Sequence, residues 1–465
     1  MYDTIIIGAG MSGLAAGIRL AYFDRKVCIV ERHNTVGGLN SFYRLGGRDY
    51  DVGLHAITNF TERGAKRGPL ARLLRQLRFR WEDFALAPQR ESAVVFPGVT
   101  LRFGNQGALL ESEVARAFPR EVDGYRRLIE QLVDYDDLET DQFTHSARER
   151  IEAFIGDPLL REMLLCPLMW YGNAREHDMD WGQFCIMFRS IFLEGLARPH
   201  RGVRLILKNL VRRYREVGGE LRLRAGVARM AVEQGRVTGV VLDSGERLEG
   251  RHVLSSAGWV ETMRLCGPER SLPTDRAGRL SFVETMSVLD RRPERIGHGR
   301  TIVFFNDSPR FHWRKPEDEL CDPRTGVICS PDNFEYGDTA DAAAGGMIRI
   351  TTLANYDRWS SLDDDAYRRQ KMRWFDRIAE SAVRFMPDYR RHVVATDMFT
   401  PKTIHRFTRH ENGTVYGSPT KQLDGRTHLS NLYICGTDQG YVGIVGAIMS
   451  GISIANRHLL RDGSA

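Results

Sequence analysis

Thr4-Ile5-Ile6-Ile7-Gly8-Ala9-Gly10-Met11-Ser12-Gly13, with the residues just after it, decides the fold. Ile5, Ile6 and Ile7 form a short β-branched run of the kind that makes a strand buried on both faces. Residues 14–23 keep helical periodicity, and Lys26-Val27-Cys28-Ile29-Val30 reads as a second buried strand ending at Glu31. Together they make a βαβ unit within about thirty residues. Its turn has a chemical reading. Gly8 permits a tight bend, Gly10 lets the backbone approach a pyrophosphate, and Gly13 allows helix and strand to pack closely. The helix N-terminus then favours the negative charge. Glu31, eighteen residues beyond Gly13, can accept hydrogen bonds from both ribose hydroxyls of an adenosine and disfavours a 2′-phosphate.

The bulk properties set limits. A chain of 465 residues with 42% hydrophobic and 27% charged side chains can bury a real core, which excludes a disordered or fibrous protein. The net charge of +6 comes from arginines scattered singly, so it reads as a solvated surface that can also rest on anionic lipid. No basic block interleaves with aromatics, which argues against nucleic acid. Seven cysteines at wide spacings give neither metal-ligand nor redox motifs, so no metal is expected and the thiols read as free. A strand beginning by Thr4 leaves no room for a signal peptide. The apolar run 441–455 is short of the roughly 20 residues that span a bilayer. The expectation is a cytoplasmic protein, with a peripheral seat on the inner face of a membrane as its variant.

Further along, arginine-rich helices are expected at 69–77 and 122–134, with a strand pair at 93–96 and 101–103. Residues 159–196 are rich in Leu, Met, Phe and Trp and read either as a helical core or as the lining of an apolar pocket. A helix with Val203, Ile206, Leu207, Leu210 and Val211 on one face stops at Gly218-Gly219. Strands are expected at 220–224, 227–234, 236–242 and 253–257, then at 281–289 and 347–353, with a helix at 365–385. The last fifty residues return to strand, glycine turn and helix. One nucleotide-binding domain is interrupted twice.

The second glycine loop narrows the cofactor. Arg32-His33-Asn34-Thr35-Val36-Gly37-Gly38-Leu39-Asn40 resembles the second phosphate-contacting loop of large FAD enzymes. With Tyr50-Asp51-Val52-Gly53-Leu54-His55 and Asn431-Leu432-Tyr433-Ile434-Cys435-Gly436-Thr437-Asp438-Gln439-Gly440-Tyr441, the chain resembles the phytoene desaturase and amine oxidase superfamily. The branch of phytoene desaturases, carotenoid isomerases and retinol saturases is the nearer match. Thr400-Pro401, Arg406-Phe407 and Gly413-Thr414-Val415-Tyr416-Gly417 are similar to a strand-and-turn segment of that branch.

The resemblance implies an α/β fold: a Rossmann-like FAD-binding domain of the GR2 type (1–68, 200–279 and 414–465) interrupted by a mixed α+β substrate domain (69–199 and 280–413). It implies non-covalent FAD, with Gly8, Gly10, Gly13, Gly37 and Gly38 around the pyrophosphate, Glu31 on the ribose, His55 beside the flavin ring, and Arg32 and Asn40 among the cofactor contacts. Val227 would pair with adenine, Ala257 would end a strand near the dinucleotide, and Gly436 and Asp438 would flank the ribityl chain. Gly443, Ile444 and Val445 would start a helix whose amides face the flavin O2 edge. Leu39 departs from the arginine or serine usual after the Gly-Gly pair, leaving Asn40 or Ser41 to meet the phosphate.

Hydride transfer to flavin N5 needs alignment and exclusion of water more than a strong base. His55, Lys402 and Tyr416 are the candidate catalytic residues, with His405 and Arg406 beside them. The bland reading of each is structural. The stretch 280–289, where amine-oxidising members often carry a lysine, has none, and no aromatic pair to flank an amine is evident. No second GxGxxG exists, so oxygen, a quinone or transiently bound NAD(P)H is the expected electron partner. The leading expectation is desaturation, saturation or isomerisation of a hydrophobic polyene or isoprenoid. Its alternatives are an amine or amino-acid oxidase releasing peroxide and a flavin-free escort of prenylated proteins.

Overall fold

The Tyr2–Ile7 strand lies inside the first sheet because both its faces are apolar: Ile5 and Ile6 are fully buried in two different clusters. It pairs in parallel with Val27–Val30 on one side and Arg247–Ser255 on the other. Glu220–Arg222 extends the sheet in parallel beyond Val27–Val30, and Leu432–Ile434, from the far end of the chain, pairs in parallel with Arg247–Ser255. The antiparallel strands Val227–Glu233 and Arg236–Leu242 complete a seven-stranded sheet among the described residues. The computed structural model describes residues 1–133, 135, 145–267, 274–337 and 345–461. The parts of the expected domain ranges between these segments, and Asp134 of the expected helix 122–134, lie outside the described residues.

A second sheet, also of seven described strands, runs in the order Val393–Phe399, Ser281–Leu289, Gly346–Ala354, Cys321–Cys329, Ile302–Asn306, Ser92–Phe96 and Val99–Phe103. Its period of two sorts side chains between two cores. Phe282, Phe304 and Val327 pack against the helices Pro158–Gly172 and Trp181–Phe188, while Val283, Phe305 and Ile328 pack with Trp374 and Ile378 of helix Asp364–Ala382.

Two readings of the sequence change here. Leu164, Leu165, Cys166, Leu168 and Met169 all enter the helical core, so only Trp170 and Tyr171 carry the pocket-lining reading of that run. The segment after Thr400 is a helix, Pro401–Thr408, not strand and turn. Proline suits the first helical position, and the Thr400 and Thr403 side chains cap each other's backbone amides.

The helices Met11–Ala21 and Gly443–Ile454 join the two chain ends. A Cβ on Gly451 would lie 2.0 Å from the Ser12 carbonyl oxygen, so only glycine permits this approach. Each helix follows a parallel strand, which sets both N-termini at the carboxyl edge of the sheet, where such folds bind ligands. Among the described residues no helix is long and apolar enough to cross a membrane.

Candidate active site

Both helix N-termini open on one cavity of about 550 Å³. Neither is capped. Gly10 and Val442 offer no side-chain oxygen to the first-turn amides, and neither first turn holds an acid. The unmatched N–H groups and the helix dipoles make two sites for anionic oxygen.

Glycine shapes the wall in two ways. At Gly13 a Cβ would lie 2.2 Å from the Gly8 carbonyl oxygen, so the crossing of helix and strand needs its absence. At Gly10 and Gly38 a Cβ would meet no atom within 4 Å, and both residues line the cavity. That is open ground fit for a pyrophosphate. The two glycine loops are one surface, because Gly10 and Gly37 form a parallel bridge and the Gly37 amide donates to the Ala9 carbonyl at 2.9 Å. Buried Glu31 locks the loops further, accepting the Ala9 amide at 2.8 Å and the His33 amide at 2.9 Å, one on each carboxylate oxygen. Each oxygen keeps a lone pair for a ribose hydroxyl.

Gly8, Arg32, Asn40, His55, Val227, Ala257, Tyr416, Gly436, Asp438, Gly443 and Ile444 line the same cavity as Glu31. Val445 does not, being buried in the core with Ile448 and Ile452. Lys402 is a correction. It lies two residues before Ile404, which lines the cavity, and so about 200° round the helix. Its ammonium turns away, donating to the Leu362 carbonyl at 3.1 Å and lying over the Tyr367 ring. The Asp438 carboxylate serves the protein itself, accepting the Trp259 amide at 2.6 Å and the Ser418 amide at 2.7 Å.

His55 sits in a polar cluster that sequence reading missed. Buried Arg198 donates to the Leu54 and His55 carbonyls at 2.6 and 2.8 Å and to Asp51 at 2.6 Å. Buried Arg349 donates to the Val52 and Leu54 carbonyls at 2.6 and 2.7 Å and pairs with Glu284. The backbone presenting His55 is therefore held from two sides. His55 Nε2 lies 3.3 Å from Glu284 Oε2 and 3.2 Å from Thr351 Oγ1. A signal did exist: Glu284 and Arg349 are the only charges in their fully or nearly buried strands, and buried charges need partners.

Burial lowers the His55 pKa below the ordinary histidine value, against the opposing pull of Glu284, with Arg349 and Arg198 adding to the lowering. Burial alone would raise the Glu284 carboxyl, but Arg349 and His55 outweigh it and hold it below the ordinary carboxylate range. For a histidine held neutral, the unfolded chain binds the proton first. Stability is therefore lost as pH falls below the unfolded value of about 6.5. We expect a His55→Gln variant to lose less stability than the wild type between neutrality and pH ~5, read from urea midpoints across pH. An equal loss in both would contradict the lowered pKa.

Trp170, Tyr171, Phe282 and Tyr416 add an aromatic wall, with ring centroids of Trp170 and Phe282 5.3 Å apart and of Phe282 and Tyr416 5.8 Å apart. The Tyr416 hydroxyl donates to the Trp170 carbonyl, which ties the wall together. No lysine lines the cavity among the described residues.

Comparisons with known proteins bear on the family and the fold. The family described as flavin containing amine oxidoreductase matches residues 11–459. A 4,4′-diaponeurosporene oxygenase of Staphylococcus aureus is 21% identical over 453 residues, covering 89% of this chain and 87% of that protein. An oxidoreductase from Methanosarcina mazei has the same fold, with TM-score 0.68 at 15% identity over 97% of this chain and 99% of that one. So has wild-type putrescine oxidase bound to putrescine, with TM-score 0.64 at 16% identity over 99% of each chain. The family match begins within the first glycine turn, at Met11, and runs past the second, and the chain belongs to the flavin containing amine oxidoreductases, a family of flavin-dependent oxidoreductases.

Proposed function

We propose that this chain binds FAD non-covalently and uses it to desaturate, saturate or isomerise a hydrophobic polyene or isoprenoid. One observation carries the reading: a single cavity joins two uncapped helix N-termini and an open glycine floor to an aromatic wall. The first part suits a dinucleotide and the second an apolar substrate. The bound flavin would supply the hydride acceptor or donor. Residues 1–68, 200–279 and 414–465 would hold the cofactor, and 69–199 and 280–413 the substrate. Similarity to a carotenoid oxygenase supports the polyene. Oxygen, a quinone or transient NAD(P)H would exchange electrons with the flavin, and a seat on the inner face of a membrane would give access to a lipid substrate.

Amine oxidation is the second reading, favoured by the aromatic side chains that the fold gathers and by likeness to putrescine oxidase. The test exposes FAD-loaded protein to 4,4′-diaponeurosporene in detergent micelles and, separately, to putrescine, without oxygen. We expect the polyene to perturb the flavin spectrum and the amine to leave it unchanged. Bleaching by putrescine alone would reverse the assignment.

A further inference from the structure

The hydrogen bonds around His55 fix which of its nitrogens holds the proton. Glu284 Oε1 is paired with Arg349, whose guanidinium is almost fully buried, so the carboxylate is charged and can only accept. Thr351 Oγ1 donates to Glu284 Oε2 at 3.1 Å. An imidazole nitrogen at 3.3 Å from that same oxygen must bring a proton of its own, and this nitrogen is Nε2. Nδ1 then carries the lone pair. It has no hydrogen-bond partner among the described residues, and His55 lines the cavity.

Resting on the proposed flavin chemistry, we infer that Glu284 is a positioning residue that holds His55 as the Nε2–H tautomer with Nδ1 ready to take a proton, so that the reaction is a dehydrogenation. The balance is simple. One substrate C–H bond breaks and its electron pair leaves as hydride to the bound flavin. The neighbouring C–H or heteroatom–H bond breaks, its proton passes to Nδ1 and its electron pair closes the new double bond. The substrate loses two hydrogens and two electrons, and the imidazole becomes an imidazolium facing the Glu284 carboxylate, which stabilises it. The other groups around the ring are Arg349 and Arg198, which oppose its charge, and the Thr351 hydroxyl. Burial keeps the resting ring neutral, as a proton acceptor must be.

Two measurements on the FAD holoenzyme test this. In protein labelled with 15N-histidine, NMR reports which ring nitrogen is protonated, and His55→Gln identifies the signal. We expect one ring proton, on Nε2, at pH 7. A proton on Nδ1, or on both nitrogens, overturns the inference, and this readout needs neither substrate nor variant stability. The second is anaerobic bleaching of the oxidised flavin by the polyene named above. We expect Glu284→Gln to slow it roughly 100-fold and to shift its pH profile, with Glu284→Asp recovering part of the rate. Reaction with the reduced enzyme only would overturn the direction. If neither redox state reacts with polyene or amine, the substrate reading fails, while the tautomer is still decided by the NMR signal.

Discussion

Gly10→Ala is expected to fold as the wild-type chain does and to lose its flavin. Gly10 has φ of −75°, which alanine adopts freely, and a Cβ there would meet no protein atom within 4 Å. The apo protein should change by no more than about 1 kcal/mol, the cost of alanine at a helix N-cap. The new methyl instead enters the space assigned to the pyrophosphate. Overpacking of about 1–3 kcal/mol corresponds to roughly 5- to 150-fold weaker binding. Gly13→Ala should behave differently, because its Cβ would collide with the Gly8 carbonyl oxygen at 2.2 Å. That variant should lose stability and flavin together. Flavin content and urea midpoints, measured side by side, separate the two. A Gly10→Ala protein as yellow as the wild type would remove the cavity's glycine floor from the cofactor site.

Arg349→Met should be the most destabilising single change in the polar cluster that supports His55. Methionine keeps part of the volume but removes the donors to Val52, Leu54 and Glu284, leaving a buried carboxylate unpaired. The expected loss is about 3–5 kcal/mol. The double variant Arg349→Met/Glu284→Gln should recover part of it, since no stranded charge remains. The pH dependence has a definite sign. In the wild type, Glu284 has a depressed pKa, so its contribution is full above the unfolded value of about 4.3 and is lost as pH falls through the folded one. Without Arg349, burial raises the carboxyl and acid relieves the cost. The gap between variant and wild type should therefore narrow on acidification, as read from denaturant midpoints. A gap that widens would contradict the pairing.

The parts of this protein that were legible in sequence are those encoded locally. Ile5 to Gly13 and Glu31 lie within one βαβ unit, so strand, turn, helix and acid can be read from neighbouring residues. The helix at Gly443–Ile454 was legible, but the flavin-edge role proposed for it came only through resemblance, because nothing in that segment itself says which strand precedes it in space. The cluster that holds His55 was out of reach for a related reason. Its contacts to Glu284 and Thr351 span 229 and 296 residues, and they depend on the register that sets Glu284 opposite Thr351. Lys402 was misplaced because a resemblance to strand and turn outweighed a local signal, threonine then proline at a helix start. The run 159–196 is apolar on every side, so its pattern could not show that Trp170 and Tyr171 alone reach the cavity.

Residues from both chain ends are proposed to hold one flavin dinucleotide. Hydrogen exchange of the apo protein, with and without added FAD, tests that most directly. Protection should rise together in residues 8–13, 37–38 and 436–446, the glycine loops and the start of the second uncapped helix. Protection confined to the first two segments, with 436–446 exchanging as before, would contradict it.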